Sequence, residues 1–150
     1  MGAFSTVAIV KGATLGEYTG EVLTRKEVEA RYWGLRKENK HDRKWRKSRV
    51  RRNQGISGDY LFDMGNDGPG KDIFIDGEDA DVSSWCRFAN HAKEELNDNG
   101  EVNDGACNVE MHRRLSWDQD EVQQLGLFMV ALRDIEPGTE MCYDYGGEYW

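Results

Sequence analysis

Ala131-Leu132-Arg133-Asp134-Ile135-Glu136-Pro137-Gly138-Thr139-Glu140 runs on, after Met141-Cys142, into Tyr143-Asp144-Tyr145-Gly146. Gly126 to Leu132 leads in as a strand. Glu136-Pro137-Gly138 is a turn, because proline presets φ and glycine frees it, and Thr139 to Tyr143 leaves as the last strand. Outward from there the same alternation of short β-rich runs and turn formers recurs. A strand is expected at Cys107 to Arg113, the polar run Lys93 to Gly105 reads as loop, and Ser83 or Ser84 is placed to cap a brief helix through His91. Tyr60 to Met64 and Ile73 to Ile75 read as strands separated by Gly65, Gly68, Pro69 and Gly70. At the start, Phe4 to Val10 and Thr14 to Thr19 flank Lys11-Gly12 and predict an opening hairpin. Thr24-Arg25-Lys26-Glu27 has the form of a capping box, with Val28, Tyr32 and Leu35 at helical spacing behind it, and predicts a helix from Thr24 to about Asn39. His41 to Arg52 holds eight basic residues, His41 included, and little apolar periodicity, so it is expected as an exposed, mobile insert. The pattern as a whole predicts one mainly β (α+β) domain over 1–150, with a helical and basic insert at 24–58.

Composition narrows the function classes. At 150 residues with 38% apolar and 11% aromatic residues, the chain has enough hydrophobes for a core. Its longest apolar run, Leu125 to Leu132, is far short of the ~18 residues that a membrane-spanning helix needs. No basic-then-apolar leader is visible, so export is not expected. Cys86, Cys107 and Cys142 form no Cys-x-x-Cys pair and total an odd number, which speaks for a reducing compartment and against a disulfide framework. With His41, His91 and His112 scattered as well, no metal site is expected. The net charge of −8 conceals a split: residues 25–52 carry +9, leaving −17 on the other 122. Two surfaces of opposite sign follow, suited to more than one kind of partner.

Four separated segments then point to chemistry. Leu15-Gly16-Glu17-Tyr18-Thr19-Gly20-Glu21, Tyr60-Leu61-Phe62-Asp63 upstream of Ile75-Asp76, Arg87-Phe88-Ala89-Asn90-His91, and the C-terminal stretch quoted first resemble, in order and spacing, the SET-domain protein lysine methyltransferases. The resemblance spans essentially the whole chain. It implies a fold of several small sheets with a C-terminal pseudoknot and a helical insert, S-adenosylmethionine as cofactor, and a lysine delivered to it through a narrow channel.

Carried over residue by residue, Tyr145 matches the family's catalytic tyrosine, and Tyr143 and Tyr18 stand with it at the reaction centre. Tyr18, Tyr143 and Tyr149 match aromatic positions of the lysine channel, whose rings attract an ammonium. A tyrosine at position 143, where relatives carry Phe or Tyr, implies mainly monomethylation. Met1, Gly2, Tyr60, Arg87, Asn90 and His91 match cofactor-binding positions. The implied substrate is a histone tail or another basic lysine-containing protein, and the implied location is nuclear, with the cytoplasm as the alternative. Lys44 to Arg52, with Trp45 available to stack, is a candidate nucleic-acid contact or nuclear localisation signal.

The chain departs from the family pattern in three places. Met1-Gly2 supplies only the last two positions of the family's Gly-x-Gly. Asn90-His91-Ala92 is separated by a loop from Ala106-Cys107-Asn108, an interrupted form closer to the PR-domain branch. No cysteine-rich zinc cluster is expected after Trp150. The alternative function is therefore a catalytically inactive recognition module for a basic peptide or a chromatin partner. Taken singly, Tyr143 and Tyr145 also fit buried wall residues, and Asn90-His91 a capped turn.

Overall fold

The computed structural model describes residues 2–65, 72–92, 95–96, 102–103, 107–119 and 121–145. Among the described residues there are ten strands, most of them short, two α-helices and one 3₁₀ turn, Trp85–Phe88, and the strands fall into four small sheets. The expected fold of several small sheets is what is found. Two compact units divide it: residues 1–17, 88–113 and 127–150 form the first, and 18–87 with 114–126 the second.

β1 (Thr14–Glu17), in the first unit, pairs antiparallel with residues 128–130 of β9 (Glu121–Ala131), and β9 also pairs with β8 (Val109–Asp118). Both long strands exceed their expected lengths, and Gln119, at φ 54°, lies in the turn between them. Val109, Leu127, Met129, Ile135 and Met141 are buried. The expected hairpin of Phe4 to Val10 with Thr14 to Thr19 does not form. Lys11-Gly12 does turn, with Gly12 at φ 83°, but the two flanks choose other partners. Phe4 bridges Glu140, Ile9 bridges Ile135, and β1 joins β9. Alternation marks a segment as extended without naming the strand that it joins. Asn90-His91, expected at the end of a helix, instead form β5 (Asn90–His91), which pairs in parallel with β10 (Cys142–Tyr143). The helix is confined to the single 3₁₀ turn before it. Within the expected loop 93–105, β6 (Glu95–Leu96) and β7 (Val102–Asn103) pair antiparallel.

In the second unit β4 (Ile73–Asp76) is the central strand between β2 (Glu21–Thr24) and β3 (Leu61–Asp63), and all four of its residues are buried. Leu23, Val28 and Phe74 form the apolar centre, with Tyr32 and Leu61 packed on it. The capping box forms as expected. Thr24 accepts from the Glu27 N–H, and Glu27 accepts from the Thr24 N–H, opening α1 (Arg25–Arg31). The helix stops eight residues before the expected Asn39: Tyr32 caps it and Gly34 takes φ 66°, a conformation glycine adopts without steric cost.

Within the insert expected as helical and basic at 24–58, the basic segment is a regular helix, α2 (Lys40–Arg51), opened by a second capping box between Asn39 and Asp42, and it departs from the exposed run expected for residues 41–52 in burying one face. Its inner face is ionic and aromatic rather than aliphatic. Arg49, 1% exposed, donates to Asp76 at 2.8 Å and to Glu21 at 2.9 Å. Asp42 accepts from Arg31 at 2.9 Å. Trp45 lies between the guanidinium groups of Arg31 and Arg49, at 4.9 and 5.0 Å, with its Nε1 donating to Glu21. Trp45 is therefore committed to the protein and not available to stack on a base. Burial pushes the Asp42 carboxyl up, but the Asn39 backbone N–H and the Arg31 guanidinium outweigh it and hold it below the usual range. Asp79 is lowered in the same way, burial being outweighed by Arg52, the Asp81 backbone N–H and Arg49. Among the described residues no helix is long and apolar enough to cross a membrane.

Candidate active site

The parallel pairing of β5 with β10 sets Asn90 opposite Cys142 and His91 opposite Tyr143, so two motifs separated by about 50 residues share one ladder. Backbone bonds extend it on both sides: Asn90 N–H to Met141 C=O at 3.2 Å, and Ala92 N–H to Tyr143 C=O at 3.2 Å. Tyr145 sits just beyond the strand end. Its hydroxyl donates to the Ala89 carbonyl at 2.7 Å and its backbone N–H donates to His91 Nδ1 at 3.2 Å. The Tyr143 and Tyr145 rings lie 4.5 Å apart, and His91 is 5.1 Å from Tyr145. Three aromatic rings thus gather where the sequence put a catalytic tyrosine, its neighbour and a cofactor histidine.

A polar cluster adjoins them. The Asn90 amide donates to the Glu140 carboxylate. A Cβ on Gly2 would overlap that carboxylate and press on the Asn90 amide, so a larger residue there would require the Glu140 side chain to shift. Asn108, buried, ties the cluster together: its Nδ2 donates to the Glu140 carbonyl at 2.7 Å, and its Oδ1 accepts the Cys142 N–H at 2.9 Å. Glu140 and Asn108 were not singled out from sequence, although the interrupted Ala106-Cys107-Asn108 motif was the available signal for the second. Burial, with the Glu140 carboxylate and Cys107 adding to it, raises the Cys142 thiol, so it remains protonated and is a poor nucleophile.

In the second unit Tyr18, Tyr60 and Arg87 converge on the turn after β4. The Tyr18 hydroxyl, on a ring only 4% exposed, donates to the Tyr60 carbonyl at 2.9 Å. Arg87 donates to the carbonyls of Gly77 and Glu78 at 3.0 and 3.1 Å, with its guanidinium 5.5 Å from the centre of the Tyr60 ring. A Cβ on Gly77 would press on the Tyr18 hydroxyl at 2.6 Å, so glycine keeps this turn tight. Met1 and Tyr149 lie outside the described residues. No group of three or more His, Cys, Asp or Glu side chains placed to hold a metal occurs among the described residues.

The donor set suits the cofactor that the resemblance implies. The Glu140 carboxylate, the Asn90 carboxamide and the close-packed Gly2 backbone are group types that would bind a charged amino-acid end, and aromatic rings are of a type that attracts a positively charged sulfur. Comparison with known proteins bears on the same question. The family model for the SET domain matches residues 1–146. Among solved structures, a humanized mutant of the Chaetomium thermophilum Polycomb Repressive Complex 2, bound to an inhibitor, matches with a TM-score of 0.53 at 21% identity. The match covers 97% of this chain but 13% of that one, so it speaks to the fold. No curated protein matches the chain.

Proposed function

The chain belongs to the SET-domain family, and from that premise we propose that it is an S-adenosylmethionine-dependent protein lysine N-methyltransferase, acting in the nucleus on a histone tail and stopping mainly at the monomethyl product. The observation that carries this reading is the β5–β10 pairing. It sets the Asn90-His91 motif and the Tyr143/Tyr145 pair side by side with a carboxylate, a carboxamide and aromatic rings in one unit. The −17 carried outside residues 25–52 favours a basic peptide as substrate.

When bound, the cofactor supplies a methyl group activated by its sulfonium for transfer to a neutral amine. Asn90, Glu140 and the Gly2 backbone would hold its amino-acid end. Tyr145 would position the amine: its hydroxyl donates to the Ala89 carbonyl, and a phenolic oxygen that donates in this way can also accept an incoming N–H. That acceptor orients the amine while the ring excludes water, and both lower the barrier by fixing geometry. A free lysine has a pKa of about 10.4, so an apolar, aromatic-walled channel also favours the neutral form by desolvation. Tyr143, 9% exposed and against Tyr145, narrows the space left for a methylated amine.

Two linked measurements test this. Calorimetric titration with S-adenosylmethionine should give saturable binding that Asn90→Ala abolishes. Histone octamers incubated with cofactor and chain should gain mass in 14-Da steps by mass spectrometry, within the CH₂ increment of one methylation. Replacing Tyr145 with Phe should lower transfer by about two orders of magnitude, the scale for removing one preorganised polar group, and leave cofactor binding intact. Cofactor binding without transfer to any histone would favour a recognition module, and unchanged turnover in Tyr145→Phe would remove its assigned role.

A further inference from the structure

We propose that the outer face of α2 is a nucleic-acid-binding surface that grips the phosphate backbone through Lys40, Arg43, Lys44, Lys47 and Arg51. These residues follow the i, i+3, i+4, i+7, i+11 pattern, and at about 100° per residue they fall within a single arc about 100° wide. All five are exposed. The helix sorts its cations by face. The guanidinium groups off this arc are neutralised: buried Arg49 by Asp76 and Glu21, half-buried Arg46 by Glu38, and Arg52, the cap after the helix, by Asp79 and Asp81. None of the outer five meets a carboxylate within ion-pair distance among the described residues, and Arg43 reaches only the Glu38 carbonyl, at 2.9 Å.

The surface is rigid as well as charged. Buried ion pairs and Trp45 pin the opposite face, so the row is held straight over about 16 Å, the rise of eleven residues. A DNA duplex presents one negative charge per ~1.7 Å of axis, so that length offers more phosphates than the row has cations. The chemistry favours phosphate over an acidic protein. A protein interface is anchored by a buried aromatic or aliphatic group, and the arc contains none. Trp45 faces inward and Val50, the one exposed apolar residue of the helix, falls outside the arc. A face made only of cations matches backbone contact that does not read sequence. Because the chain as a whole carries −8, its long-range field repels nucleic acid, and binding has to come from this local row. The proposal does not depend on methyl transfer.

The test is fluorescence anisotropy of a labelled mixed-sequence duplex titrated with the full chain between about 50 and 200 mM salt, where phosphate contacts weaken steeply. Binding should fall with salt along a log–log slope of about −3 to −5, near −0.9 per phosphate engaged. Replacing all five with Gln should weaken binding at least about tenfold at the low-salt end and flatten the slope. Gln is close to Lys and Arg in helix propensity, so the far-UV circular dichroism should be kept. The single variant Lys47→Gln, which disturbs the helix least, should reduce the slope by about 1. The paired control Lys26→Gln/Lys37→Gln, exposed but off the row, should bind as the parent does. The proposal is overturned by absence of binding at low salt, by an equal loss in the control, or by a polyglutamate peptide that binds as tightly as the duplex and is lost with the same five residues.

Discussion

Replacing Arg49 with Met probes the ionic seam under α2. The guanidinium is 1% exposed and the Asp76 carboxylate that it meets at 2.8 Å is fully buried. Glu21 at 2.9 Å, Asp79 at 3.5 Å and the Gly55 carbonyl at 3.2 Å complete its surroundings. Methionine keeps most of the volume and removes the charge, so Asp76 keeps only the Tyr32 hydroxyl and the Glu78 N–H as donors. Removing one partner of a buried pair costs about 3–5 kcal/mol. Two surviving donors place this case at the lower end, about 3 kcal/mol, equivalent to a Tm drop of about 6–12 °C for a chain of this size. The assay is urea unfolding followed by far-UV circular dichroism and tryptophan fluorescence, with coincident transitions as the check on two-state behaviour. Adding Asp76→Asn should return part of the loss, because the orphaned charge is then gone. Arg52→Met, whose ion pairs lie at the solvent boundary, should shift the midpoint far less. A midpoint for Arg49→Met no lower than that for Arg52→Met would refute the reasoning, and with it the claim that charge rather than hydrocarbon seats this helix.

Three other outcomes follow from the same structure. Tyr143→Phe should shift histone product from monomethyl toward di- and trimethyl in mass spectra, and an unaltered distribution would detach Tyr143 from product control. Gly20→Ala should destabilise by about 1–3 kcal/mol, the usual cost of overpacking, because its Cβ would overlap the Asp76 carbonyl; an unchanged urea midpoint would contradict that contact. Asp42 and Asp79 titrate lower when folded than the ~3.9 of a free carboxyl. Their contribution is therefore present above about pH 4 and lost as pH falls through the folded values. Melting temperatures measured from pH 7 down to 2.5 should hold level and then drop below about pH 4, and Asp42→Asn should blunt the drop.

How much of this was legible in the residues differs from element to element. Thr24 and Glu27 announced α1 because a capping box is a local device, complete within four residues. The equivalent pair Asn39 and Asp42 announced nothing, since the run behind it has no apolar period. Its inward positions are Asp42, Trp45 and Arg49, and their partners Arg31, Glu21 and Asp76 lie on other elements. An ionic interior is invisible to a hydrophobic template. Phe4 to Val10 forms neither the expected strand nor a hairpin arm: Phe4 and Ile9 make isolated bridges with a bend at Thr6-Val7 between them, because strand propensity is overridden by the partners that the rest of the chain supplies. At the site, Tyr143, Tyr145, Asn90 and His91 are legible from motif likeness; the structure sets Asn90, His91 and Tyr143 on one ladder and Tyr145 just beyond its end. Glu140 and Asn108 escaped notice because their importance lies in hydrogen bonds formed only after residues 90, 108 and 140 have met.

The parallel ladder between Asn90-His91 and Cys142-Tyr143 also has a kinetic side. A parallel pair cannot zip from a tight turn as a hairpin does, so the intervening chain must close first. Closing a loop of about 50 residues costs on the order of 3.5 kcal/mol of chain entropy before any contact rewards it. Sequence-distant pairing of this kind is what slows folding, so the tyrosines should reach the Asn90 motif among the last events of maturation. Methyl-transfer competence would then serve as a timer for the final stage of folding, appearing later than the helical signal of α1 and α2 when refolding is followed from denaturant.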